Sequence, residues 1–176
     1  MDTDIRAQPA LPPNHPPLSA GMSPHGGTSP PVSAPEEPAA MVWTVPTGWQ
    51  TSPNPNAMRI ATYRPSPDTE LSVARAGGST EANIHRWIGQ FDDAGKDVRT
   101  EKTVRGLSVH IVEVSGTYLG SGMPGAAADS RAGWTLVGAV VDTPGSRYFF
   151  KLLGPGDQVG AVRPSFDALL ASIAPR

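Results

Sequence analysis

Hydrophobic and polar positions alternate in short runs through most of this chain, and the runs are separated by turn residues. Met41-Val42-Trp43-Thr44-Val45 reads as a short opening strand before a Pro46-Thr47-Gly48 turn. Met58 to Tyr63 has the β-branched and aromatic content of a strand. Arg64-Pro65-Ser66-Pro67-Asp68 breaks it, and Glu70-Leu71-Ser72-Val73-Ala74-Arg75 alternates strictly enough to pair back as a hairpin. After Gly77-Gly78 the period changes. Ser79 or Thr80 is a helix N-cap, Glu81 suits the first turn, and Ile84, Trp87, Ile88 and Phe91 recur on one helical face, with Gly95 as the stop.

The pattern then returns to strands. Val98 to Val104 and Leu107 to Tyr118 flank a tight Arg105-Gly106 turn. The second member carries apolar residues on both faces at Val109, Ile111, Val112 and Val114, as a central strand covered on both sides does. Gly120 to Arg131 is rich in glycine and alanine and reads as a loop. Trp134 to Val141 and Arg147 to Leu153, around Asp142-Thr143-Pro144-Gly145, form the core hairpin. A closing helix presents Phe166, Leu169, Leu170 and Ile173 as one stripe, with a kink expected at Pro164. The order predicts an α+β fold, an antiparallel β-sheet of about six to seven strands flanked by two helices.

Composition confines this body to residues 42–176. Ten of the 20 prolines fall in residues 1–40, where there is no aromatic residue, so residues 1–41 read as a disordered, proline-rich tail that cannot offset its own chain entropy. With Arg6 and the four tail acids Asp2, Asp4, Glu36 and Glu37 set aside, the 14 basic and 16 acidic residues become 13 and 12. That balance lacks the basic excess of a nucleic-acid binder. The chain has no cysteine, which removes disulfides, thiolate nucleophiles and cysteine-bound metals. Met1 to Arg6 lacks the basic start and apolar run of a secretory signal, and no run approaches the ~20 apolar residues of a membrane span.

Few residues offer chemistry. His85 lies beside Arg86 off the apolar helical stripe, and His110 alternates with Val109 and Ile111 in a strand. A solvated position and a hydrogen-bonded sheet position are their ordinary readings. The serines form no Gly-x-Ser-x-Gly elbow, and Gly120-Ser121-Gly122-Met123-Pro124-Gly125 lacks the lysine of a phosphate loop. Asp92-Asp93 are neighbours at a helix exit, where adjacent side chains diverge. Neither a catalytic set nor a cofactor site is expected. In the tail, His15, Met22 and His25 are the candidate ligands for a soft metal such as copper, against the plainer reading of a spacer that contains them. Trp49, Arg59, Tyr63, His85 and Arg86 are the candidate partner surface, since tryptophan, tyrosine and arginine dominate binding hot spots.

Three segments carry a family resemblance: Trp43-Thr44-Val45-Pro46-Thr47-Gly48-Trp49, the hairpin end Tyr148-Phe149-Phe150-Lys151, and Ser165-Phe166-Asp167-Ala168-Leu169-Leu170-Ala171-Ser172-Ile173. Over residues 42–176 the layout resembles the PsbP-like superfamily, which includes the extrinsic photosystem II subunit, a Ran-binding nuclear import factor and many bacterial envelope proteins. Bacterial members are similar also at Met58 to Tyr63 and Ala82 to Trp87. The resemblance implies an accessory or binding role without turnover and transfers no catalytic residue. The expectation is a non-enzymatic module that binds a protein partner, with a small-ligand or copper carrier as the alternative. Its location would be the cell envelope, as a lipoprotein or periplasmic protein, if a leader precedes this sequence, and the cytoplasm otherwise.

Overall fold

The computed structural model describes residues 41–120 and 130–176; the tail candidates His15, Met22 and His25 and most of the expected Gly120 to Arg131 loop lie outside the described residues. Within them the chain runs β1 (Met41–Val42), β2 (Gln50–Thr51), β3 (Arg59–Ser66), β4 (Thr69–Ala76), α1 (Thr80–Ile88), β5 (Phe91–Asp92), β6 (Val98–Val104), β7 (Leu107–Tyr118), β8 (Arg131–Thr143), β9 (Ser146–Pro155), α2 (Gly156–Ser172) and β10 (Ala174–Pro175). One antiparallel sheet has the order β2-β3-β4-β9-β8-β7-β5, with β6 also on β7. Its six long strands are the hairpins read from the sequence, and β2 and β5 add two residues each at the margins. A separate ribbon pairs β1 with β10, Met41 opposite Pro175 and Val42 opposite Ala174.

Each hairpin follows from its turn. Arg105 and Gly106 both have positive φ, 49° and 83°, which is the backbone a two-residue turn between β6 and β7 requires. Alternation then sorts side chains between two cores. Leu71, Val73, Val109, Ile111, Val137, Ala139, Phe150 and Leu152 face α2, which meets them with Val159, Phe166, Leu169 and Leu170, joined by Ile173 just past its end. The opposite face carries Val112, Val114, Leu136, Val140 and Phe149, and packs Ile84 and Trp87 of α1 and then Phe91. The pairing that joins the two halves is β4 with β9, Val73 opposite Phe150.

The helices differ from expectation at two points. Ser79 caps α1, its Oγ accepting from the Ala82 N–H at 3.1 Å, and the buried Asn83 donates its Nδ2 to the Ser79 carbonyl at 2.9 Å. The helix, however, stops at Gly89 rather than Gly95. Phe91 is therefore not on the helical stripe but in β5, paired with Tyr118, because the edge of β7 offers its backbone groups the partners that a further helical turn would have supplied. In α2 the expected kink at Pro164 does not divide the helix, which runs from Gly156 to Ser172. Proline removes one amide, and the carbonyl it leaves without a helical donor belongs to Gly160, an exposed residue with open space around its Cα.

Candidate functional site

The two helices cover the sheet unequally. α2 has 17 residues and spans its face, whereas α1 has nine and sits over β7 and β8. Trp87 lies so close over Gly138 that a Cβ there would stand 2.2 Å from its ring, so the central strand accepts α1 only because it has no side chain at that position. Beyond the C-terminal end of α1 no described element covers the same face, and a cleft of about 490 Å³ opens across β3, β4, β9, β8 and the end of β7.

Strand alternation supplies the floor. β4 turns Leu71 and Val73 to the α2-side core, so Glu70 and Ser72 point the other way; β9 turns Phe150 and Leu152 inward, so Lys151 and Leu153 line the cleft. Arg59 and Arg64 enter from β3. Arg59 meets Glu70 at 2.6 Å and Arg64 meets the other Glu70 oxygen at 3.9 Å. Asp68 at the β3–β4 turn is held by Gln158 of α2, whose Nε2 donates to it at 3.1 Å.

The far wall is aromatic and cationic. Tyr118 stacks on Trp134 with ring centroids 5.8 Å apart and planes 10° from parallel. The Arg131 guanidinium lies 4.5 Å over the Trp134 ring, and the Lys151 ammonium lies 5.5 Å over Tyr118. Lys151 also donates to Gln90 Oε1 at 2.5 Å, from the residue just past the α1 cap. Among the described residues neither Lys151 nor Arg131 has a carboxylate within ion-pair distance. Burial, and secondarily the Arg59 charge, pull the Lys151 ammonium down from 10.5 to about 8, against the opposing pull of Glu70. Burial likewise pushes the Tyr118 phenol above its usual range.

The five sequence candidates for a partner surface do not meet. Arg59 is in the cleft. His85 and Arg86 are exposed on α1, His85 Nε2 lying 2.8 Å from Glu81. Tyr63 is not a surface residue: its register opposite Leu71 turns it into the α2-side core, where it is 7% exposed and its hydroxyl accepts from Trp43 Nε1 at 3.2 Å. Trp49 is half-buried against that same core. His110 lies between two acids, with Asp142 at 3.3 Å and Glu101 at 3.7 Å, and Asp142 in turn takes Arg147 at 2.6 Å. This is a cross-strand ladder of polar side chains on the sheet surface. Among the described residues no cluster of three or more histidines and acids is arranged to hold a metal.

Sequence reading missed Glu70, Tyr118, Arg131 and Lys151 as site residues. One signal was present: in the run Tyr148-Phe149-Phe150-Lys151-Leu152-Leu153, Lys151 is the lone charge among residues that are otherwise apolar or aromatic.

The architecture defines the class: an antiparallel sheet between two helices, an α+β sandwich. Its particular form is PsbP-like. The solution structure of cyanobacterial PsbP from Synechocystis is similar with a TM-score of 0.50 at 15% identity, over 85% of this chain and 98% of its own. A crystal structure of a Pseudomonas aeruginosa protein of unknown function is similar with a TM-score of 0.46 at 10% identity, over 77% and 97%. No protein-family model and no curated protein matches the chain.

Proposed function

We propose that this chain is a non-enzymatic binding module that docks a protein partner in the cleft beside α1. The observation that carries the proposal is the lining of the cleft: four cations and two stacked aromatic rings border a hollow that no element among the described residues closes. Tyrosine, tryptophan and arginine concentrated in a concave patch are what partner hot spots are made of. Among the described residues no helix is long and apolar enough to cross a membrane.

A photo-crosslinking amino acid placed at Arg64 in the full chain tests this. A saturable protein adduct from Arg64, absent when the same group replaces the exposed Thr103 on β6, is the expected result. No adduct at Arg64, together with turnover of a metabolite by the purified chain, would sink it.

A further inference from the structure

We infer that the cleft takes an extended acidic segment of the partner, seating its carboxylates on Lys151, Arg131 and the Arg59–Arg64 pair. The inference rests on the docking role proposed above and adds the chemistry of what docks.

Charge is the first ground. The chain as a whole is net −2, yet among the described residues the cleft gathers Arg59, Arg64, Arg131 and Lys151 against Asp68 and Glu70. Of those two acids Asp68 is tied to Gln158, and Glu70 is shared by two arginines. The surplus is local, so it steers an anion to this face rather than to the molecule at large.

Lys151 supplies the second ground. It has been carried onto the sheet between apolar neighbours, and its ammonium finds an amide oxygen and a ring but no carboxylate among the described residues. A half-buried cation without a counter-charge has a standing deficit that an incoming carboxylate removes. The depressed Lys151 proton affinity expresses the same deficit.

Spacing decides between an isolated anion and a segment. The cations sit on β3, β9 and β8, and β3 to β8 is three strand steps in the sheet order, about 14 Å at ~4.8 Å per step. One phosphate or carboxylate spans a small part of that. About four extended residues, at ~3.4 Å each, cover it. A nucleic-acid strand would need a broader basic surface than a chain of net −2 provides.

Fluorescence anisotropy with the full chain tests the inference, using a fluorescein-labelled octapeptide of alternating glutamate and glycine and its glutamine counterpart. The glutamate peptide should bind at least about tenfold more tightly. Lys151→Met should weaken it about tenfold and Lys151→Arg by no more than about threefold, since the second keeps the charge. Thermal melts of both variants verify that they fold. Equal binding of the two peptides would overturn the inference, as would an unchanged affinity in folded Lys151→Met. Tighter binding of a labelled dT8 oligonucleotide would overturn it too. If the Arg64 crosslink forms while the peptides do not differ, the docking role stands and this chemistry falls.

Discussion

At the scale of single residues, Lys151 sets the behaviour of the cleft. Its ammonium is half-buried on β9, and burial holds it at about 8 in the folded protein against 10.5 without that burden. Between those two values the unfolded chain binds the extra proton and the folded one does not. Stability attributable to this residue therefore rises as pH climbs from about 8 to about 10.5, and below about 8 the full penalty is present. Lys151→Met should accordingly stabilise the protein at pH 7. Partial exposure screens the effect, so a gain on the order of 1–2 kcal/mol is expected. Denaturant titrations of both proteins at pH 7 and pH 10 check it: the advantage of the variant should shrink at the higher pH, and a constant or growing advantage would contradict the account.

At the scale of elements, two helices do different work. α1 is short and docks through Ile84 and Trp87, whose ring rests on Gly138 of β8. Gly138→Ala puts a methyl inside that ring, and a packed core absorbs such an insertion only by shifting the helix. A loss of about 1–3 kcal/mol in chemical denaturation is expected, with altered tryptophan fluorescence, and an unchanged melt would show that α1 is not held as described. α2 is the opposite case. Phe166, Leu169, Leu170 and Ile173 are 0–1% exposed. At about 1.5–3 kcal/mol each their burial rivals the whole stability of a small domain. A chain ending at Pro155 should lose its cooperative thermal transition, and a sharp melt from it would refute the architecture.

At the scale of the molecule, what the sequence shows and what it hides divide by distance along the chain. The hairpins β3–β4, β6–β7 and β8–β9 are legible because alternation and turn residues are local signals, and the α2 stripe is legible for the same reason. The β4–β9 pairing is not, since nothing near Val73 announces Phe150. The cleft inherits that opacity. Glu70, Tyr118, Arg131 and Lys151 come from four strands and each reads singly as the polar half of an alternation; only the assembled sheet places them in one hollow. Of the residues expected at a partner surface Arg59 does line the cleft, while Tyr63 misled because a tyrosine in a strand carries the same letters whether it faces water or core. The early end of α1 was illegible at Phe91, where a helical spacing and an edge-strand pairing compete and tertiary contact with Tyr118 wins.

The ribbon of β1 with β10 has a consequence for synthesis. Met41 and Val42 leave the ribosome ahead of every other described residue, yet their backbone partners, Ala174 and Pro175, follow every other strand and both helices. A translating chain can zip its hairpins one by one as they emerge, but it cannot fasten this clasp until the final turn of α2 has cleared the exit tunnel. Until then the opening strand has no β10 to pair with.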